Sequence, residues 1–325
     1  MMKKSNPLLD LPSDHRVALV THEFPDGDAY GSLLGLQHIL RPIVKRVDGF
    51  ISCETTSKFS FLPGFSKLQS DLPESQAFYD MCIVLDCGNV NRTGKFRGLV
   101  EESNKIINID HHVSNARFGH KQWIDVEASS TSEIVTHLAR HAGIVFNPEA
   151  ATCLLTGIMM DTGSFLYENT AAETHRQAAF LIDRGADHDV IRDRLFQSRP
   201  LQNVRFLAHM IDTMELLESN QAILITVTNA LLQAYGVAYE DLDEYIAYAR
   251  DIQNIELAVM IKEQAQDEVK ISFRSKSWLN VNALAAQLDG GGHERAAGAV
   301  FSGTIAEARS RILPLISVFL SGGTS

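Results

Sequence analysis

The chain opens with short apolar runs separated by longer mixed segments, a pattern that predicts strands alternating with helices. Residues 16–22, 47–52, 81–85 and 105–107 are apolar runs with the length of buried strands, and a helix-like segment, residues 33–40, follows the first run. Uninterrupted apolar strands are typical of parallel sheets covered on both faces. We therefore expect an α/β N-terminal domain with a parallel sheet and helices on both faces.

Two helix starts follow these strands. The run Ser130-Thr131-Ser132-Glu133 has the pattern of a capping box and predicts a helix through Arg140. We assign its hydroxyls to capping, with substrate contact as the lesser alternative. Asn147-Pro148 predicts a second helix that stops at Asp161, and residues 122–127 are a further candidate strand.

The pattern changes after residue 200. Residues 201–217 place apolar side chains at spacings of three and four, which predicts an amphipathic helix. Strands at 221–227, 255–262 and 269–274 and a helix at 280–288 come next. We predict a catalytic domain at 1–198, a semi-rigid connector helix at 199–219, and a smaller α/β domain with a mixed sheet at 220–325.

Composition places the chain in the class of soluble globular proteins, with 325 residues, 45% hydrophobic and 21% charged. The first ten residues lack the apolar core of a signal peptide, and no apolar run is long enough to span a bilayer, so we expect a cytoplasmic protein without membrane contact. Four cysteines without paired spacing indicate reduced thiols: Cys53, Cys82, Cys87 and Cys153.

The formal net charge is −11, which argues against a protein that follows long duplex nucleic acid, since such proteins need a basic surface. If the substrate is anionic, its contacts must be local and must involve metal ions and a few cationic or backbone groups. A small ligand is therefore favoured over a polymer.

Candidate metal ligands stand where apolar strands end. His22, Asp86 and Asp110 each close such a run, and the residues past the carboxyl end of a parallel strand face the ligand crevice. Asp26 and Asp28 lie in the loop after His22, and Gly27 between them permits the sharp turn that brings their carboxylates together. An acidic turn without a ligand is the alternative interpretation of this loop.

Two further positions strengthen the metal hypothesis. His111 and His112 follow Asp110, and Asp with neutral His binds divalent ions such as Mn²⁺, Mg²⁺ or Zn²⁺. Asp161 ends a predicted helix, where a carboxylate faces the negative pole of the helix dipole and a bound cation would offset the repulsion. A solvated Asp before a Gly cap is the alternative for Asp161.

The second half offers candidate substrate contacts. Gly290, Gly291 and Gly292 let backbone N–H groups approach an anion, and His293 adds a further donor. Arg274, at the end of a predicted strand, is a second candidate phosphate contact. The alternatives are a plain flexible turn for the glycines and an ordinary surface cation for Arg274.

Together these motifs resemble the DHH phosphoesterase superfamily with its DHH-associated C-terminal domain, over the range from about His22 to Gly298. The resemblance is strongest to the branch of oligoribonucleases that are also pAp phosphatases. It implies a two-metal site, usually with Mn²⁺, for which Mg²⁺ and Co²⁺ are alternatives. Carried over residue by residue, it implies six ligands divided between two ions: His22 and Asp26 on the first, Asp28, His111 and Asp161 on the second, and Asp86 on both.

The same resemblance implies roles for the remaining motif residues. Asp110 would orient a histidine, and His112 would face the substrate phosphate as a donor or acid, so that His112, Asp86 and Asp110 form the catalytic set. Arg274 and the glycine-histidine segment correspond to phosphate or nucleotide contacts. Cys87-Gly88-Asn89 departs from the small hydroxyl residues that relatives often carry after Asp86, which leaves fine substrate preference open.

Our first functional hypothesis is a Mn²⁺-dependent phosphohydrolase that acts on short oligonucleotides such as dinucleotides, with 3′-phosphoadenosine 5′-phosphate (pAp) as a second substrate. A pyrophosphatase or exopolyphosphatase is the alternative enzyme, although Arg274-Ser275-Lys276 is poor in cations for a pyrophosphate pocket. A non-catalytic nucleotide sensor is the alternative outside enzymes, and would be expected to have lost ligands. The assembly is left open, with a homodimer as one candidate.

Overall fold

The computed structural model describes residues 6–9, 11–52, 57–72, 79–239, 242–265 and 267–322. The chain divides into two compact units, Met1–Ser198 and Arg199–Ser325. The connector role predicted for residues 199–219 stays a prediction.

The described part of the first unit alternates strands and helices as the hydrophobic pattern predicts. Its strands are β1 Arg16–Val20, β2 Arg46–Phe50, β3 Met81–Leu85, β4 Ile106–Asp110 and β5 Lys121–Ile124. Its helices are α1 Gly27–Leu40, α2 Arg97–Glu101, α3 Thr131–His141, α4 Pro148–Asp161, α5 Ala172–Asp183 and α6 His188–Leu195. Short 3₁₀ turns occur at Ser57–Phe59, Phe65–Lys67 and Val90–Phe96.

Within the described residues these five strands form a parallel sheet in the order β2-β1-β3-β4-β5. Alternate residues of each strand face opposite sides of the sheet. Leu19 and Ile83 belong to the core cluster that includes α1, α3 and α4, whereas Val20 and Val84 pack with Leu99 of α2 on the other face. The predicted α/β fold with helices on both faces is confirmed.

Helices α1 and α4 pack at very short range, and glycines make this possible. A Cβ at Gly31 of α1 would lie 2.6 Å from the carbonyl oxygen of Cys153 and 2.7 Å from the nitrogen of Gly157 in α4. Distances below 3.0 Å to backbone atoms require the helices to separate. Since α1 and α4 carry Asp28 and Asp161, this approach sets how close those carboxylates can come.

Several boundaries in the first unit differ from the prediction. Helix α1 begins at Gly27 rather than at residue 33, because the Asp26 carboxylate caps it and accepts hydrogen bonds from the Asp28 and Ala29 nitrogens at 3.0 and 3.1 Å. Strand β4 extends through Asp110 rather than ending at residue 107, since Asp110 pairs with Ile124 of β5.

The two predicted helix caps are present. Ser130 caps α3 by accepting a hydrogen bond from the nitrogen of Glu133 at 3.0 Å, and Asn147 caps α4 in the same manner with Ala150. The Glu133 carboxylate, however, accepts from the nitrogen of Ser129 rather than from the capping residue, at 3.2 Å. The capping box is therefore only half formed.

The described part of the second unit begins with a helix and continues as a mixed α/β domain. Its strands are β6 Glu215–Leu217, β7 Ala222–Val227, β8 Leu257–Ala265, β9 Glu268–Ser275, β10 Gly291–Gly292 and β11 Ala296–Ser302. Its helices are α7 Leu201–Asp212, α8 Asn229–Tyr235, α9 Leu242–Arg250, α10 Val281–Ala286 and α11 Ile305–Leu320.

In the described residues of this unit the six strands follow the order β10-β11-β9-β8-β7-β6. The β7–β8 pair is parallel and the other pairs are antiparallel, so the predicted mixed sheet is confirmed. One face packs on α10 and α11 through Leu284 and Ile312, and the other on α7 and α9 through Phe206 and Ile246.

The amphipathic segment 201–217 is not one continuous helix. Helix α7 stops at Asp212, where the Thr213 hydroxyl donates to the carbonyl of His209 at 3.0 Å, and the chain then forms β6. Strand β6 pairs antiparallel with β7, with Leu217 opposite Ala222. The apolar side chains after residue 212 keep the three-and-four spacing of a helix, but these residues pair as an edge strand.

Three of the four cysteines lie in the described residues of the first unit. Cys82, Cys87 and Cys153 are buried free thiols, while Cys53 lies outside the described residues. Burial raises the pKa of the Cys87 thiol to about 12. Cys87 is therefore neutral near pH 7, which suits a packing residue better than a nucleophile.

Within the described part of the chain, none of the helices combines the length and the apolar character needed to cross a bilayer. Residues 1–5 and 10, which belong to the segment tested for a signal peptide, lie outside the described residues. The predicted cytoplasmic location stays a prediction.

We predict that Gly31→Ala lowers the free energy of unfolding by about 1–3 kcal/mol, because overpacking at the α1–α4 contact forces backbone shifts. Urea denaturation measures this change. The matched control is Gly98→Ala in α2, where no described atom lies within 4 Å of an added Cβ. Equal stability of the two variants would contradict the prediction.

Candidate metal centre

The parallel sheet brings the predicted ligand loops together at one edge. Strands β1, β3 and β4 are direct neighbours, and their carboxyl ends lead into His22, Asp86 and His111. The loop after β1 also carries Asp26 and leads into α1. Residues distant in sequence therefore meet because adjacent parallel strands end at the same edge.

Three overlapping groups of Asp and His side chains result, and in each group one potential ligand atom per residue lies within 4.8 Å of the others. They are His22 with Asp26 and Asp86, Asp28 with His111 and Asp161, and Asp86 with His111 and His112. Asp86 and His111 belong to two groups each. All six predicted metal ligands are thus brought together in the first unit, and their division between two ions stays a prediction.

Asp86 lies at the centre of these groups and is almost fully buried. One carboxylate oxygen lies 3.7 Å from His22 Nε2, and the other lies 3.7 Å from both His111 Nε2 and His112 Nδ1. Its backbone has φ of 53°, a left-handed conformation that is uncommon for a residue with a side chain. This conformation ends β3 and turns the chain into the loop.

Helix α3 contributes residues that the sequence analysis did not assign to the site. The backbone nitrogens of Thr131 and Ser132 donate to the two oxygens of Asp28 at 2.6 and 2.9 Å, and the Thr131 hydroxyl donates to Asp86 at 3.0 Å. The positive end of the α3 dipole therefore holds Asp28. Substrate contact was the alternative considered for these hydroxyls. The hydroxyl of Thr131 donates instead to Asp86, which is a candidate metal ligand.

Helix α4 closes the other side of the group. Gly157 of α4 packs so tightly on the start of α3 that a Cβ there would lie 2.0 Å from Ser132 Oγ and 2.7 Å from Asp28 Oδ1. Asp161 at the end of α4 lies 3.4 Å from His111 Nε2. Its position at the negative end of the helix is the one that the sequence predicted.

Crowding of the carboxylates changes their acidity. Burial, followed by the charge of Asp86, raises the pKa of Asp28 to about 7. Burial and the charges of Asp28, Asp26 and Asp86 raise the pKa of Asp161 well above its usual value. Asp86 is the exception, because the nearby imidazoles of His22, His111 and His112 outweigh its burial and lower its pKa.

The histidines respond to the same charges in the opposite sense. Burial alone would lower the pKa of His111 and of His112. The charge of Asp86 on His111, and the hydrogen bond to Asp110 on His112, outweigh burial, so both pKa values are raised. The carboxylates thus favour positive charge at this edge of the sheet.

These residues fit divalent metal ions. Carboxylate oxygens and imidazole nitrogens form the donor set that Mn²⁺ and Zn²⁺ accept. Among the described residues, the buried His22 Nδ1 has no hydrogen-bond partner, so this imidazole nitrogen is shielded from water and has no hydrogen bond to lose. Burial, followed by charge repulsion, raises the pKa values of Asp28 and Asp161, and cations would offset the repulsion.

Asp110 is fully buried and bonds to His112, whose Nδ1 lies 2.7 Å from its Oδ1. Asn115 donates to the other oxygen at 2.5 Å and to Asn108 at 2.9 Å. Neither asparagine was predicted as a site residue from the sequence. Asn108 stands inside an apolar strand, where a polar residue needs a specific partner, and this signal could have identified it.

The predicted substrate contacts lie in the second unit. Arg274 is the penultimate residue of β9, is half-buried, and donates to the carbonyl of Phe273 at 3.0 Å. Ala296 of β11 pairs with Arg274, and the nitrogen of His293 donates to the carbonyl of Ala296 at 2.7 Å. The sheet register thus carries Arg274 and His293 to the same end of β9 and β11.

The glycine segment is a paired strand rather than an open loop. Gly291 and Gly292 form β10 and pair with Gly298 and Ala297 of β11. A Cβ at Gly290 would lie 2.3 Å from the Gly298 carbonyl oxygen, and Gly292 has φ of 152°. Close packing explains these two glycines locally, while anion binding by the segment stays a prediction.

The fold and this centre define a class: an α/β protein with a candidate divalent-metal site at the carboxyl ends of parallel strands. Residues 16–158 match the DHH family, N-terminal domain, and residues 222–321 match the DHHA1 domain. The chain belongs to the DHH family, and it is a phosphoesterase of that family.

Relatives agree with this assignment over most of the chain. A bifunctional oligoribonuclease and PAP phosphatase NrnA from Thermus thermophilus is 32% identical over 301 residues, which are 92% of this chain and 89% of the relative. A cyclic-di-AMP phosphodiesterase GdpP from Geobacillus thermodenitrificans is 27% identical, over 95% of this chain and 48% of the relative.

A solved structure extends the similarity to the fold. An exopolyphosphatase-related protein from Bacteroides fragilis superposes with a TM-score of 0.86 at 28% identity, and the match covers 93% of each chain. Both units of the fold are therefore present in a known structure.

We predict that metal-free protein loses stability as the pH rises from about 4 to about 7. The pKa of Asp28 is 3.8 when unfolded and about 7 when folded, so the folded state holds the additional proton in this window and deprotonation favours unfolding. The raised pKa of Asp161 acts in the same direction from about pH 4 upward, and the raised pKa values of His111 and His112 do so only above about pH 6.5. The lowered pKa of Asp86 changes stability only below about pH 4.

Urea denaturation in chelator across this pH range measures the effect. Asp28→Asn is the matched variant, because it keeps the shape of the side chain and removes the ionisation. We expect a smaller fall in stability for this variant than for the original chain. Parallel pH profiles for the two proteins would show that Asp28 does not titrate in this window.

Proposed function

We propose that this chain is a two-metal phosphodiesterase and phosphohydrolase that acts on short oligonucleotides, including dinucleotides, and on pAp. The observation that carries the proposal is the sharing of Asp86 and His111 among three overlapping ligand groups. One isolated ion needs a single group of ligands, whereas shared residues suit two ions side by side. The similarity to an oligoribonuclease and PAP phosphatase supports the choice of substrates.

His22 and Asp26 would hold one ion, Asp28, His111 and Asp161 the other, and Asp86 would contact both. Divalent ions in these places would supply Lewis acidity toward phosphoryl oxygens and a nucleophile from water near neutral pH. Mn²⁺ is the ion we propose, with Mg²⁺ and Co²⁺ as alternatives. The Thr131 hydroxyl and the α3 backbone keep Asp86 and Asp28 in place, so little reorganisation is needed when ions bind.

His112 is the proposed contact to the substrate phosphate. Its ring is anchored at Nδ1 by Asp110, and its raised pKa keeps a larger fraction protonated near pH 7. A protonated imidazole can donate a hydrogen bond to a phosphoryl oxygen or a proton to the leaving oxygen. Asp110 acts only through His112 in this proposal.

The second unit would supply the contacts that distinguish a nucleotide from bare phosphate. Arg274 offers a guanidinium for a phosphate, and His293 with Gly290, Gly291 and Gly292 offers further donors. The segment 274–276 carries two cations, fewer than a highly charged pyrophosphate would need. Short nucleotides also suit a chain with net charge −11, which is ill matched to long duplexes.

Three alternatives remain for the test. Cyclic dinucleotides are the substrate class named for the Geobacillus relative, and phosphoanhydrides are suggested by the name of the Bacteroides fragilis protein. A non-catalytic sensor is disfavoured because all six candidate ligands are present. A cytoplasmic location and a homodimer are proposals that accompany this function.

We predict that the Mn²⁺-loaded chain releases mononucleotides from dinucleotides and phosphate from pAp, and does so faster than it cleaves cyclic di-AMP or pyrophosphate. A single activity panel over these four substrates measures this. Intact dinucleotides and pAp would contradict the proposal. Faster cleavage of pyrophosphate would favour the phosphoanhydride alternative.

We also predict that Asp86→Asn lowers turnover by more than about 100-fold, beyond the effect typical of residues that only orient a ligand. The matched control is Asp80→Asn. Asp80 lies just before the amino end of β3, where its carboxylate accepts a hydrogen bond from the nitrogen of Arg16 at 2.8 Å. The control should retain full activity, and similar activity of the two variants would remove Asp86 from the centre.

For the second unit, we expect Arg274→Gln to raise KM for dinucleotides roughly 10- to 100-fold, as loss of a charge-assisted hydrogen bond of about 1.5–3 kcal/mol implies. Lys270→Gln is the control, because Lys270 lies on the same face of β9 four residues earlier. Steady-state kinetics on both variants provides the test. An unchanged KM in Arg274→Gln would show that Arg274 does not bind substrate.

A further inference from the structure

A buried polar network lies behind His112. Asp110 is fully buried and uses both carboxylate oxygens: Oδ1 accepts from His112 Nδ1 at 2.7 Å, and Oδ2 accepts from Asn115 Nδ2 at 2.5 Å. A carboxylate held at one oxygen can still turn about its last torsion, which is soft. The second bond, from Asn115, fixes the plane of the carboxylate.

Asn115 is itself held by further hydrogen bonds, including a long one of 3.4 Å from its Nδ2 to the carbonyl of Cys87. Its Nδ2 also donates to Asn108 Oδ1 at 2.9 Å, and its Oδ1 accepts from the nitrogen of Arg117 at 2.6 Å. The buried Asn108 donates in turn to the carbonyls of Val84 and Cys87 at 3.3 and 3.2 Å. The side chain of Asn115 is therefore anchored to β4 and to its own loop.

The same network joins the loop after β4 to the loop after β3. The nitrogen of Ala116 donates to the carbonyl of Gly88 at 2.7 Å, and the nitrogen of Asp86 donates to the carbonyl of Ile109 at 3.0 Å. Asp86 and His112 are thus carried by two loops that are bonded to each other. Asn115 lies at this junction.

We propose that Asn115 is a positioning residue for His112, which acts by fixing Asp110 so that the imidazole keeps one tautomer and one ring orientation. Because a carboxylate only accepts hydrogen bonds, Asp110 holds the proton of the neutral ring on Nδ1 and leaves the lone pair on Nε2. This inference rests on the proposed function only where it assigns His112 to the substrate phosphate.

A purely structural role for Asn115, as a loop anchor, is the competing interpretation. Loss of an anchor lowers stability and affects the loop as a whole, including its metal ligand His111. Loss of positioning changes the tautomer of His112 and lowers kcat while KM stays nearly constant. Residues that orient a ligand or catalytic imidazole typically contribute 10- to 100-fold to activity or metal affinity.

The first experiment records ¹⁵N spectra of the histidine side chains in the metal-free full chain, at a pH where His112 is neutral, with the His112→Gln variant to assign the signal. We expect a single Nδ1-protonated tautomer in the original chain and a mixture of tautomers in Asn115→Ala. An unchanged tautomer in Asn115→Ala would overturn the proposal.

The second experiment measures kinetics with Mn²⁺ on a dinucleotide and on pAp. We expect Asn115→Ala to lower kcat roughly 10- to 100-fold with KM within about twofold. Asn147→Ala is the control. Like Asn115, Asn147 accepts a hydrogen bond from a backbone nitrogen through its Oδ1, but it does so at the start of α4. It should lose stability without a change in kcat.

The outcomes separate this inference from the proposed function. An equal loss of kcat in Asn147→Ala, or an unchanged kcat in Asn115→Ala, would overturn the positioning role. If the original chain cleaves neither substrate while Asn115→Ala still changes the tautomer, the proposed function fails and the positioning of His112 stands.

Discussion

Three carboxylates forced together at the end of a parallel sheet are the constraint on which the rest of this molecule depends. Asp28, Asp86 and Asp161 share a partly buried edge, where burial, followed by the repulsion between the carboxylates, raises the pKa of Asp28 and of Asp161. A fold that had no use for this arrangement would keep the three carboxylates further apart. Their position at close range, within groups of residues that could hold metal ions, is consistent with the metal site of a DHH-family protein.

The scaffold is built to impose this proximity. Gly31 lets α1 approach the backbone of α4, and Gly157 lets α4 pack closely on the start of α3. The start of α3 in turn holds Asp28 by two backbone hydrogen bonds. The left-handed backbone at Asp86 turns the chain where β3 ends. Each of these features stabilises the fold and also determines the position of a candidate metal ligand, because the ligand is carried by the helix or strand that the feature holds in place.

Much of this arrangement can be predicted from the sequence. Apolar strands that end in Asp or His indicate both a parallel sheet and the edge at which a ligand would bind. The sequence alone therefore predicts that His22, Asp86 and His111 lie close together. The role of Thr131 could not be predicted, because its partners Asp28 and Asp86 are remote in sequence and the local pattern indicates only a helix start. Asn115 was not predicted either, because its bond to the nearby Asp110 depends on how the loop after β4 folds back, and the sequence indicates only a loop there. The pairing of the glycines at 290–292 with β11 could not be predicted either, since it depends on tertiary register.

In the proposed site, Asp86 contacts two cations at the same time. The most direct test is an anomalous diffraction map from crystals of the full chain grown with Mn²⁺. We expect two peaks about 3.5–4 Å apart, both in contact with Asp86. A single peak, or peaks remote from Asp86, would contradict it.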